Sequence, residues 1–185
     1  HIYMEGLLFE SNIVYQGAVG ILYSNSYVTI TRCEFRDNTG LIGSALYVMT
    51  GNFDYTVEDT TFTRNSCQGS GAVYVADNNT YNSFRNCTWT DNIAVSGAGG
   101  GLFFETMNNF LSIEDCRFYN NSADTNGGAL AIYDQHYDIS LLNCTFESNK
   151  AGLYGGNIYI SQLNNAIRIE KCGMSSGTAA YGGGI

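Results

Sequence analysis

The sequence predicts an all-β fold, a right-handed single-stranded parallel β-helix of about six to seven rungs, each near 27–28 residues with three short strands. Three observations predict it. An aromatic-x-x-Asn element recurs as Phe9 with Asn12, Phe35 with Asn38, Phe62 with Asn65, Trp89 with Asn92, Phe118 with Asn121 and Phe146 with Asn149. A degenerate copy pairs Met174 with Gly177, and successive steps from residue 12 are 26, 27, 27, 29, 28 and 28 residues. The composition is that of strands and turns, with 22 glycines, no proline and abundant Asn, Ser, Thr, Tyr and Val. No heptad or 3.6-residue pattern recurs, so the unit is not helical.

The first strand of each unit reads as "VTI" (28–30), "YTV" (55–57), "LSI" (111–113) or "IRI" (167–169). From Ile30 to Cys33 the step is three, which breaks the period-2 alternation of a strand and predicts a corner at Thr31 and Arg32. Asp59, Asn86, Asp115, Asn143 and Lys171 occupy the equivalent corner. The second strand, "CEF", "CTW", "CRF" or "CTF", places its Cys and its aromatic on one parity, facing inward. The Asn that follows is expected to turn the chain, because it tolerates a left-handed φ. Stacked from rung to rung, such Asn side chains form a hydrogen-bonded ladder. Small residues then lead into the third strand: Gly43, Ser44 and Ala45; Ser70, Gly71 and Ala72; Gly99, Gly100 and Gly101; Gly127, Gly128 and Ala129; Gly155, Gly156 and Asn157; Gly182, Gly183 and Gly184. The third strand is "LYV" (46–48), "VYV" (73–75), "LFF" (102–104), "LAI" (130–132) or "IYI" (158–160). A leucine-rich repeat has a similar period but needs an L-x-x-L-x-L-x-x-N spacing that is absent.

The columns resemble the repeats of chlamydial polymorphic membrane proteins, whose paired signatures are F-x-x-N and G-G-A-[ILV]. "FYNNSADTNGGAL" (118–130) carries both, and "FRDNTGLIGSAL" (35–46) and "FTRNSCQGSGAV" (62–73) are looser versions. The resemblance runs through nearly the whole chain. It implies a β-helix fold and an extracellular adhesin, surface coat or passenger stalk, and it names no ligand.

Charge and hydropathy bound the partners. The formal net charge is −9, from 17 acidic and 8 basic residues, which argues against nucleic acid and anionic membrane. No apolar run is long enough to span a bilayer. The repeat is already under way at His1 and stops in mid-unit at Ile185, so residues 1–185 are expected to be one segment of a longer solenoid without caps. Exposed strand edges at such ends favour either further rungs or end-to-end stacking into a fibre.

Five of the six cysteines share one column: Cys33, Cys87, Cys116, Cys144 and Cys172, with Thr60 in the remaining unit. Neighbouring-rung disulfides between Cys87 and Cys116 or between Cys144 and Cys172 satisfy the Cα spacing. A buried ladder of free thiols is the favoured reading, because in-line stacked side chains seldom meet the torsion a disulfide needs. Cys67 lies off-column where other units have Ala94, Ala123 or Ala151, and reads as a small packing residue. No C-x-x-C occurs and the only histidines are His1 and His136, so no metal and no cofactor is expected; His136, in "DQHYD", reads as exposed.

Many parallel β-helices cleave polysaccharides, which needs carboxylates converging on an outer face. Asp59 and Asp115 share the corner column two rungs apart, but that column also holds Asn, Arg and Lys, as a solvated edge does. Catalytic residues are therefore not assigned. The central residue of the third strand should point outward, forming a stripe of Tyr47, Tyr74, Phe103 and Tyr159 with a gap at Ala131. Such a stripe is either aromatic stacking on a sheet surface or a contact face for a partner chain or sugar rings. N-x-[ST] at Asn78, Asn86, Asn120 and Asn143 marks candidate N-glycosylation sites. The expectation is an extracellular structural or adhesive β-helix in a coat, stalk or fibre, partnered by itself, by other surface proteins or by carbohydrate. The alternative is a carbohydrate-binding or polysaccharide-cleaving β-helix.

Overall fold

The computed structural model describes residues His1–Ile185. The chain coils through about six turns, and every strand pairs in parallel with its equivalent one rung on. Four sheets result, of seven, seven, six and six strands. In the first sheet Val28, Tyr55, Asn82, Leu111, Ile139 and Ile167 stand in register. In the second, Phe9, Phe35, Phe62, Trp89, Phe118, Phe146 and Met174 do so. The fourth aligns Val19, Leu46, Val73, Leu102, Leu130 and Ile158.

The third sheet departs from the three-strand expectation. Its strands follow the Asn directly: Ile13–Gln16, Thr39–Ile42, Ser66–Cys67, Ile93–Ala94, Ser122–Ala123 and Lys150–Ala151. Most are two residues long, too short to show an alternation, so sequence pattern alone reads them as turn.

The corner between the first and second sheets lies where the broken alternation places it. Arg32, Asp59, Asn86, Asp115, Asn143 and Lys171 all adopt left-handed backbone, with φ from 48 to 55°. The next corner corrects an expectation. The left-handed residue is not the Asn but the one before it: Ser11, Asp37, Arg64, Asp91, Asn120, Ser148 and Ser176, with φ from 51 to 58°. This frees each Asn side chain to turn inward.

There the Asn residues build a ladder. Asn12, Asn38, Asn65, Asn92 and Asn121 each donate from Nδ2 to Oδ1 of the Asn one rung on, at 2.8 to 3.0 Å. The same Oδ1 accepts the preceding rung's backbone N–H, as between Asn65 N and Asn92 Oδ1 (3.0 Å). A buried unpaired donor or acceptor costs about 1–3 kcal/mol, so the column tolerates little else. Beside it the inward rings of the second sheet stack nearly parallel. Centroids are 4.7 Å apart for Phe9 and Phe35, 5.1 Å for Phe62 and Trp89, and 4.5 Å for Trp89 and Phe118. Such pairs are worth about 0.5–1.5 kcal/mol each beyond the area they bury.

A second Asn ladder closes the corner between the fourth and first sheets. Asn25 donates its backbone N–H to Asn52 Oδ1 (2.9 Å), Asn52 to Asn79 (2.8 Å) and Asn79 to Asn108 (3.0 Å). His136 takes the next place and Asn164 the one after. His136 is therefore buried, not exposed: its loop enters the coil where the other units place Asn. Its Nδ1 faces the main chain of Asn108, 3.0 Å from the nitrogen and 2.8 Å from the oxygen, so the tautomer decides whether it accepts or donates. Nε2 is buried without a partner.

At the entry to the fourth sheet one glycine per rung is left-handed. A side chain on Gly127 (φ 62°) would collide with the Leu130 carbonyl, which explains the first glycine of each small-residue cluster.

Candidate functional site

The outer faces of the coil carry three features: rings, corner polar groups and thiols. The predicted stripe of Tyr47, Tyr74, Phe103 and Tyr159 does lie on the outer side of the fourth sheet and stacks from rung to rung. Tyr47 and Tyr74 have centroids 5.4 Å apart, and Tyr74 and Phe103 4.9 Å. It offers little free surface, however. Tyr47 is 8% exposed and Phe103 4%, and Tyr74 and Tyr159 are half-buried. The left-handed glycines bring the preceding turn down onto these side chains; a Cβ on Gly43 would sit 2.9 Å from that of Tyr74. The gap at Ala131 is fully buried, and Tyr133 packs across it between Phe103 (4.8 Å) and Tyr159 (5.8 Å).

The exposed rings lie elsewhere, at the start of the first-sheet strands. The second residue of each strand from Ser26–Thr31 onward is left-handed, and the pairing skips it: Thr80 pairs with Phe53 and Asn82 with Tyr55, leaving Tyr81 out. This bulge, shared by both strands with no extra residue on either, turns side chains outward. Every rung from the second to the sixth places one ring there: Tyr27, Phe53, Tyr81, Phe110 and Tyr137. They are 38 to 54% exposed, and successive centroids are 6.2, 5.2, 4.7 and 6.0 Å apart. His1 extends the row, 6.3 Å from Tyr27. Fixed-column reading missed this row because the ring alternates between the bulge residue and its neighbour. Where the bulge holds Asp54 or Asp138, Phe53 or Tyr137 supplies the ring.

Alongside runs a row of hydroxyls in register: Thr29, Thr56, Ser83, Ser112 and Ser140. Beyond it are Glu5, Glu58, Glu114 and Glu170 with Arg85. Glu5 pairs with Arg32, Arg85 lies 3.6 Å from Glu114 and Arg168 3.6 Å from Glu170. Asp54, Glu58 and Asp138 have no ion-pair partner. The face thus combines rings and hydroxyls at one per rung with unpaired carboxylates in two of the rungs.

At the corners, all four sequon residues, Asn78, Asn86, Asn120 and Asn143, are exposed and left-handed. Three donate from Nδ2 to an aspartate of the preceding rung: Asn86 to Asp59 (2.7 Å), Asn120 to Asp91 (2.6 Å) and Asn143 to Asp115 (2.6 Å). Asp59 and Asp115 therefore each face an amide rather than each other. At the neighbouring corner Arg64 clasps Asp37 with two bonds of 2.8 Å, and its guanidinium holds that carboxyl below its usual range.

No two of the six cysteines are bonded to each other in this structure, and those of the main column share a role. Cys33, Cys87, Cys116, Cys144 and Cys172 each donate to the carbonyl two residues back, at 3.2 to 3.3 Å. Thr60 Oγ1 does the same to Glu58 (2.8 Å), so the column selects a small donor that closes the corner. The hydrogen bond to Cys116 and then burial push the Cys144 thiol up; burial pushes up Cys67 and Cys172. Off-column Cys67 is buried in register with Ala94 and Gly40, as a small packing residue.

Comparison with known proteins agrees with this architecture. The family described as "Right handed beta helix region" matches residues 2–172. A curated relative, the metabotropic glutamate receptor-like protein R of Dictyostelium discoideum, is 30% identical over 146 residues, covering 70% of this chain and 9% of the relative. The chain thus spans about a tenth of the curated relative it matches. No solved structure matches.

Proposed function

The chain belongs to the right-handed β-helix family, and on that premise we propose that it is an extracellular structural or adhesive segment, a building block of a surface coat, stalk or fibre. The single observation that carries this reading is the exposed row of rings from Tyr27 to Tyr137, unbroken over five rungs on an otherwise regular coil. Contiguous exposed aromatics of that extent are a mark of interfaces. The resemblance to chlamydial surface-protein repeats and the likeness to a receptor-like protein support a cell-surface setting. No helix is long and apolar enough to cross a membrane. Its partners are other surface proteins, further copies of itself or carbohydrate. Glycans occupy some of Asn78, Asn86, Asn120 and Asn143, whose exposed corners leave room for them. Mass mapping of the native protein tests this, and bare amides at all four overturn it.

A polysaccharide-cleaving role is the second reading, and the hydroxyl row beside the rings is what favours a sugar ligand. The two readings separate in one experiment. The protein is incubated with acidic and neutral polysaccharides, and new reducing ends or unsaturated products are measured. The structural reading expects none. Product that disappears in Asp59→Asn and Asp115→Asn variants would replace it with the enzymatic one.

A further inference from the structure

We propose that the ring row of the first sheet binds a linear polysaccharide carrying ammonium groups, an amino-sugar polymer, laid along the coil axis. The proposal deepens the reading of an extracellular contact surface and rests on it. Rungs repeat at about 4.8 Å, close to the length of one pyranose in an extended chain, so successive sugars can meet successive rings. The carbon faces of pyranoses suit this apolar row, in which Tyr81 and Phe110 stack on each other at 7° and Phe53 and Tyr137 stand at 73° and 82° to them, so that ring edges and ring faces are both presented along it. Thr29, Thr56, Ser83, Ser112 and Ser140 offer one hydroxyl per rung beside them, each able to accept; Ser112 already donates to Glu114 (2.9 Å).

Charge selects among polymers. Asp54 stands in the bulge column between Tyr27 and Tyr81, and Asp138 follows Phe110 in the same column. Neither has an ion-pair partner, while Arg85 and Arg168 are taken up by Glu114 and Glu170. An ammonium group placed there meets a carboxylate and ring faces together. Uronic or sulfated chains would be repelled. A second copy laid against this face would bring together two chains each of net charge −9, which leaves the ends of the coil as the place where copies meet. An extended peptide presents side chains to one face about every 6.6–6.8 Å, out of step with the rungs.

The test is calorimetric titration of the whole chain with fully deacetylated chitosan oligosaccharides, beside N-acetylated oligomers and oligolysine. Two double variants are compared. Tyr81→Asn with Phe110→Asn removes two rings at left-handed positions that Asn tolerates; Asp54→Asn with Asp138→Asn removes the charges. All four side chains lie outside the core, and thermal melts check that the fold is kept. Wild-type protein should bind the deacetylated oligomer, and each double variant should lose about tenfold in affinity. N-acetylated oligomers should bind more weakly. The proposal is overturned by no binding, by equal binding of N-acetylated oligomers, or by oligolysine binding as tightly while the ring variant loses nothing. Cleavage of the oligomer would strike the structural reading and leave the binding claim standing. Absent binding on a protein shown to be extracellular would strike only the present proposal.

Discussion

His136 is the residue where the ladder logic is most open to test. Every other position of its column from Asn25 to Asn164 is Asn, and the imidazole keeps contact with Asn108 while leaving Nε2 buried and unpaired. Burial lowers its pKa, against weaker opposing contributions from the Asn108 and Glu105 carbonyls and from Asp134. The unfolded chain therefore takes up this proton first. The contribution to stability is full above the unfolded value of about 6.5 and is lost as pH falls through it. His136→Asn restores the amide ladder. It should flatten the stability loss between neutral and mildly acidic pH, measured by urea unfolding at several pH values. An unchanged pH profile would mean that His136 is not what titrates.

At the scale of the strand and its corner, the sequence was most legible where one residue type recurs in one column. The inward Phe and Trp stack, the Cys column and the outward corner of Asp59, Asn86, Asp115 and Asn143 all lie where spacing places them. Legibility failed where two columns share a duty. The exposed ring moves between the bulge and its neighbour, so Tyr81 and Phe110 align with Asp54 rather than with Phe53. It failed again where a strand is only two residues long, and where His136 replaces Asn in a ladder whose Asn members were not recognised. Outward parity was also not the same as exposure: Tyr47 and Phe103 point outward beneath a turn that covers them. The cysteine column yields a sharp expectation at this scale. Its thiols supply the donor that Thr60 supplies in its own rung, a second bond to corner carbonyls that already accept a backbone N–H from the preceding rung. Alkylation without reductant should modify all six cysteines after denaturation and at most half-exposed Cys172 before it. Fewer than six groups on the denatured chain would instead indicate inter-rung disulfides such as Cys87 with Cys116 or Cys144 with Cys172.

Over the whole molecule, the repeat produces length and surface. Aromatic and Asn ladders make every rung depend on its neighbours, as in other solenoids whose stability is a sum of rung and interface contributions. The same 29-residue step that stacks Trp89 on Phe118 in the core sets Tyr81 over Phe110 outside it. A coil built this way repeats an exposed ring and a hydroxyl from rung to rung, and the proposed linear partner rests on that repeat. The proposed function requires that surface to lie outside the cell. The direct measurement is labelling of intact, unpermeabilised cells of the source organism with an antibody raised against this segment, followed by protease shaving. The account predicts labelling without permeabilisation and loss of the signal on shaving. Labelling that appears only after permeabilisation, and survives protease on intact cells, would contradict it.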